Sequence, residues 1–189
     1  MTDPAACTAL VVVDVQHAFL GADPPPADAA GLLAALTTLL GSARAAGATV
    51  IHIRDLGTAD SRFPTTGAGR DLVLAVHPGE VVVEKTDDDA FLGTALAQEL
   101  GGHEVIAVGG LQSEMCVAAM ARGAIARGHR VVLPHDAHTT FDIPAGPLGA
   151  AVPAEHVKRV AAWSLGDGAA VVATAAEVRF RSRPDALRS

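Results

Sequence analysis

Apolar positions along this chain come in two textures that alternate from end to end. Short Val/Ile-rich blocks read as strands over residues 8–14, Thr49 to Arg54, Val81 to Glu84, Glu104 to Gly109, Arg130 to Leu133 and Ala169 to Val172. Between them lie Ala/Leu-rich stretches with helical spacing near 28–46, 92–100, 113–127 and 154–165, and a terminal helical turn follows the last strand. Gly47 and Gly128 stand where two of these helices should stop. Strands that alternate with helices predict a parallel sheet covered on both faces. The expectation is an α/β fold: a three-layer αβα Rossmann-like sandwich with a six-stranded parallel sheet in the order 3-2-1-4-5-6. It occupies one domain over residues 1–180, with a polar tail at 181–189. Neither an internal repeat nor a linker divides the chain, and no Gly-x-Gly-x-x-Gly follows the first strand, which disfavours a dinucleotide site.

Composition narrows the partners. Half of the 189 residues are hydrophobic, the formal net charge is −7, and there is no Tyr and one Trp. An acidic chain with few aromatic residues offers no basic, stacking surface, so nucleic acid is not expected as a partner. No apolar run approaches the roughly 18 residues of a membrane span. Met1-Thr2-Asp3-Pro4 lacks the basic region of a signal peptide, which predicts a cytoplasmic protein with Cys7 and Cys116 as free thiols. The Ala/Val-rich helices fit a homo-oligomer, dimer or tetramer.

Three residues carry the chemistry. Asp14, Lys85 and Cys116 each follow a strand-like run, and the carboxyl ends of parallel strands share the edge where ligands bind. An acid, an amine and a thiol on one edge make an activated cysteine nucleophile. Gly109-Gly110 allows a tight turn off the fourth strand, Ser113 suits an N-cap, and Cys116 then falls in the first helical turn. There the helix dipole and the Lys85 charge should favour a thiolate. Asp14 reads as the general base. A geometric tension accompanies this scheme: the third strand lies two strands from the first, roughly 10 Å away. Lys85 must therefore lean across the strand between. Cys7, ahead of the first strand, reads as a small buried hydrophobe.

The segment Leu10-Val11-Val12-Val13-Asp14-Val15-Gln16-His17-Ala18-Phe19 resembles the first motif of the isochorismatase-like cysteine hydrolases, Asp-x-Gln-x-x-Phe. Lys85 to Phe91 is similar to their lysine segment, and Gly110-Leu111-Gln112-Ser113-Glu114-Met115-Cys116-Val117 to their nucleophile turn. Ala124, Gly128 and Val131 through Asp136-Ala137 are similar to the stretch that follows the cysteine. The resemblance covers about residues 8–178. It implies a triad of Asp14, Lys85 and Cys116 and a cis peptide between Leu111 and Gln112. The amides of Gln112 and Cys116 would form an oxyanion hole. It also implies the mechanism: the thiolate attacks an amide carbon, ammonia or an amine leaves, and water hydrolyses the thioester.

Departures refine that expectation. Nicotinamidases of the superfamily carry an Asp-x-His…His metal site after the second strand, whereas this chain has Arg54-Asp55-Leu56-Gly57-Thr58, so no metal or other cofactor is expected. His135-Asp136-Ala137-His138 lacks metal-ligand spacing, although His138 could face the site edge. His52, inside the second strand, reads as a core or edge histidine. Asp89 stands where many relatives have serine. Phe19, Phe91 and Met115 fall beside the three motifs and are expected to form an apolar pocket for a small-molecule substrate. The loop from Leu56 to Arg70 should set specificity, and Arg54, Arg62 and Arg70 read as solvated arginines.

The leading expectation is a metal-independent cysteine hydrolase of a small amide or ureido compound. One alternative keeps the fold but hydrolyses a vinyl ether, as isochorismatases do; that class usually lacks the cysteine. Another is a non-catalytic ligand-binding scaffold with a reactive thiol.

Overall fold

The structure, a computed structural model, describes residues 6–57 and 65–183. Arg62, Thr58 and the end of the expected tail lie outside them. The described residues form seven strands: β1 (Ala9–Val13), β2 (Thr49–Asp55), β3 (Val81–Lys85), β4 (Val105–Leu111), β5 (Arg130–Pro134), β6 (His138–Thr139) and β7 (Ala169–Val172). The helices are α1 (His17–Leu20), α2 (Ala29–Ala45), α3 (Leu96–Glu99), α4 (Ala118–Ala126) and α5 (Ala154–Trp163).

All pairings between these strands are parallel, and the main path runs β3-β2-β1-β4-β5-β7. This is the expected six-strand order. The added strand is β6, which pairs Gly110 and Leu111 of β4 with His138 and Thr139. Two residues are too few to leave an apolar period in a sequence, so β6 has no signal of its own.

β1 is buried on both faces, which explains its unbroken apolar run. Ala9, Val11 and Val13 pack with Phe91, Leu96 and the α4 residues Met120, Ala121 and Ala124. Leu10 and Val12 point the other way, into Leu32, Leu36, Leu39 and Leu40 of α2. Asp28 caps α2 by accepting the Gly31 N–H, and Gly47 at φ +66° ends it as expected.

Two helices differ from expectation for local reasons. The stretch 92–100 is helical only over Leu96–Glu99, because side chains hold the preceding backbone in turns. Asp89 accepts the Phe91 N–H, while the Thr94 hydroxyl donates to the Ala90 carbonyl and accepts the Leu96 N–H. The stretch 113–127 breaks into a π-helical turn, Ser113–Val117, followed by α4, with Met115 non-helical at φ −105°, ψ −107°.

Cys7 is buried among the α2-side residues and pairs in parallel with Phe180. The Arg181 N–H donates to the Cys7 carbonyl, and Arg183 donates to the Gly101 carbonyl, so the chain is tied down through residue 183. Neither Cys7 nor Cys116 is in a disulfide. Among the described residues no helix is long and apolar enough to cross a membrane.

Candidate active site

The carboxyl edge of the sheet brings Asp14, Lys85 and Cys116 together. Val13 pairs with Ile53 of β2 and Gly110 of β4, so Asp14, one residue on, emerges between the ends of those strands. Its backbone sits at φ +53°, an uncommon conformation that Asp tolerates better than most residues. Lys85, the last residue of β3, pairs with Asp55 and sends its side chain across β2. Its Nζ reaches Asp14 Oδ2 at 2.9 Å and donates to Cys116 Sγ at 3.3 Å. The relative exposures are 1% for Asp14, 2% for Lys85 and 8% for Cys116, so this contact is shielded from water. The length of the lysine stem resolves the tension over strand spacing.

Burial raises the pKa of the Asp14 carboxyl, and the adjacent Lys85 ammonium limits the rise. Burial also opposes the Lys85 charge, but Asp14 and Cys116 outweigh it and keep the amine protonated. The Cys116 thiol is pushed strongly upward, first by burial and then by the Asp14 charge, with Lys85 opposing. Burial and the Asp14 charge thus favour the neutral thiol, and the ammonium favours the Asp14 carboxylate. The ionisation expected from Lys85 and a helix dipole is opposed here by burial and by the Asp14 charge. The cysteine also sits in a π turn rather than at an α-helix start.

The surrounding backbone is held by close approach and by side-chain amides. Gly110 lies at φ +133° with no room for a side chain: a Cβ there would come 2.0 Å from the Val13 carbonyl oxygen. The Leu111–Gln112 peptide is cis, as the resemblance implies. Gln16 donates to the carbonyls of Asp55 and Arg70 at 3.0 and 3.1 Å and accepts the Asp55 N–H at 2.8 Å. That glutamine of the first motif thus ties the ends of β1 and β2 to the turn at Gly67–Arg70.

Ser113 does not cap a helix. Its hydroxyl pairs instead with Nδ1 of His138 at 2.8 Å. His138 is buried at the carboxyl edge, and burial lowers its pKa to about 3, so the ring is neutral. His135 meets it edge-on, with ring centroids 5.5 Å apart. Among the described residues no three His, Cys, Asp or Glu side chains gather as a metal site. His52 is a buried core histidine whose Nε2 pairs with Glu80 at 3.1 Å while its Nδ1 has no hydrogen-bond partner among the described residues.

The three expected pocket residues separate. Phe91 is buried in the same cluster as Cys116, under the Arg127 guanidinium at 4.3 Å from the ring centroid. Phe19 is buried on the other face, with the α2 residues. Met115 is 43% exposed beside the nucleophile turn. Arg54 pairs with Glu84, and Arg70 donates to the Thr65 carbonyl.

Asp88 is the residue at this site that sequence reasoning missed. Exposed on the loop after β3, it accepts a hydrogen bond from Cys116 Sγ at 3.4 Å. Within Asp87-Asp88-Asp89 nothing marks the middle carboxylate as different from its neighbours.

Known proteins share this arrangement of elements. The isochorismatase domain model matches residues 8–177. Two Streptomyces noursei proteins named streptothricin hydrolase are 47% and 48% identical, the alignments covering 97% and 93% of this chain. The chain spans 77% of the length of one and 66% of the other. The crystal structure of an isochorismatase from Pseudomonas putida KT2440 superposes with a TM-score of 0.80 at 32% identity, covering 90% of each chain. A cysteine hydrolase from Pseudomonas syringae pv. phaseolicola shares the fold at a TM-score of 0.80 and 24% identity, over 94% of this chain and 96% of its own.

Proposed function

The chain belongs to the isochorismatase family and is a hydrolase, and on that premise we propose that it is a cysteine-dependent amidohydrolase of a small carboxamide or ureido substrate. The observation that carries this reading is Lys85 Nζ bridging Asp14 Oδ2 and Cys116 Sγ in a buried setting.

The chemistry follows from those contacts. Asp14 takes the thiol proton, and the sulfur's electron pair forms a bond to the substrate carbonyl carbon. Lys85 balances the thiolate once the negative charge has moved from Asp14 to sulfur. The backbone N–H groups of Gln112 and Cys116 receive the oxyanion. Collapse breaks the C–N bond, the proton on Asp14 passes to the departing amine, and a thioester remains on Cys116. Water, giving its proton to Asp14, then attacks the thioester. The acid leaves and the thiol is restored.

Streptothricin is the first substrate to assay, given the relatives from Streptomyces noursei, followed by a panel of small amides and ureido compounds. Amine or ammonia release by the wild type and not by Cys116→Ala is the expected result. Equal release by both would move the chemistry to Asp14, as in vinyl-ether hydrolysis.

The expected self-association is proposed to use α5 and the neighbouring loop. Trp163 is 86% exposed there, Val160 and Ile143 line a hollow of about 470 Å³, and Leu148 exposes further apolar surface on the neighbouring loop. Trp163→Glu is expected to lower the mass measured in solution.

A further inference from the structure

Two carboxylates face one sulfur, and they differ in every other respect. Asp14 is buried and paired with Lys85. Asp88 is exposed, takes the thiol hydrogen bond at 3.4 Å, and has no ion-pair partner among the described residues. Its neighbours are occupied with the backbone of their own loop: Asp87 accepts the Asp89 N–H, and Asp89 accepts the Phe91 N–H. Of the three, Asp88 alone is turned to the nucleophile.

Counting charges shows what this carboxylate does. When the thiol proton passes to Asp14, the sulfur becomes anionic with Lys85 as its only cation among the described residues, and Asp88 adds a second negative charge beside it. Asp88 accordingly opposes ionisation of Cys116. In the empty site it also competes with Asp14 for the thiol hydrogen, accepting it at 3.4 Å. Both effects work against reaction until a positive group arrives from solvent and pairs with Asp88.

We propose that Asp88 is a specificity-determining residue that selects substrates with a positive charge, such as an ammonium or guanidinium, close to the scissile carbonyl. Pairing with that cation removes the repulsion on the thiolate and releases the thiol hydrogen toward Asp14. Recognition and nucleophile activation are thereby coupled. Among the described residues the arginines near this edge are already engaged: Arg54 is paired with Glu84, and Arg70 donates to the Thr65 carbonyl. The inference rests on Cys116 being the nucleophile.

The test uses two methanethiosulfonate reagents of similar size, one bearing a trimethylammonium group and the other a sulfonate. In each, the thiolate attacks the sulfenyl sulfur, the S–S bond to the sulfonyl group breaks, and methanesulfinate leaves, so no external oxidant is needed. The wild type is expected to react with the cationic reagent about tenfold faster than with the anionic one, relative to free cysteine. Asp88→Asn should bring that ratio to within about twofold of free cysteine. Asp167→Asn, which removes an exposed carboxylate at the opposite edge before β7, should keep the wild-type ratio. A wild type without preference, or an unchanged ratio in Asp88→Asn, overturns the proposal. Equal labelling of wild type and Cys116→Ala would instead overturn the nucleophile assignment beneath it.

Discussion

Lys85 places its ammonium 2.9 Å from the Asp14 carboxylate although the strands that carry them, β3 and β1, are separated by β2. Both groups are almost fully buried, so each depends on the other for compensation. Removing one leaves an uncompensated charge. Asp14→Asn is expected to cost about 3–5 kcal/mol in urea unfolding. Asp14→Asn combined with Lys85→Met should cost less than the two single substitutions added together.

Activity should follow the ionisation of Asp14. The ionised carboxylate is the competent form, and burial holds its pKa above the ordinary value of about 3.9. The ratio kcat/KM should therefore fall as pH drops, with a midpoint above that value. An acid limb at or below the ordinary carboxylate range would contradict the role of Asp14 as base.

Glu80 predicts a separate dependence, of stability rather than rate. Burial works against its charge, but the Arg44 guanidinium, the His77 N–H and the His52 ring together hold its pKa down to about 2. A carboxyl depressed in the folded state stabilises above its unfolded pKa, and that contribution disappears as pH falls from about 4.5 to about 2. Glu80→Gln is expected to cost about 1–3 kcal/mol at neutral pH. The difference from wild type should shrink towards zero in acid unfolding experiments.

Gly110→Ala should fail for steric reasons. The backbone lies at φ +133°, and the new Cβ would overlap the Val13 carbonyl. Backbone strain alone is worth about 1–3 kcal/mol. Loss of soluble folded protein, or a lowered Tm with loss of turnover, is the expected outcome.

His138→Ala removes the partner of the Ser113 hydroxyl at the start of the nucleophile turn. Leaving that buried hydroxyl unpaired is expected to cost about 1–3 kcal/mol. Because the turn carries Cys116 and the oxyanion-hole amides, which act in the transition state, kcat should change more than KM. Equal changes in both would show that the pair does not position the thiol.

Most of the sheet could be read from the chain because β1 to β5 and β7 are short apolar blocks bounded by polar or glycine residues. The pairing of Asp14, Lys85 and Cys116 was legible for the same reason: each follows its strand on the same edge. What escaped was contact made by side chains distant in sequence. Ser113 reads as a cap until His138, 25 residues on, takes its hydroxyl. Asp88 reads as one solvated carboxylate among three until the loop fold turns it to sulfur. The surroundings of the thiol were only partly legible because burial, which opposes its ionisation, is a property of the packed molecule.

β3 is the outermost strand on its side of the sheet, held to β2 by backbone pairing and to α2 through Glu80 and Arg44. A border strand is where a sheet opens first, and this one carries the lysine that the sulfur needs. Any loosening of that border withdraws the ammonium before the rest of the molecule has changed. The rate at which Cys116 consumes a neutral alkylating agent is therefore a gauge of local opening at the margin of the sheet, readable well below the temperature of global unfolding.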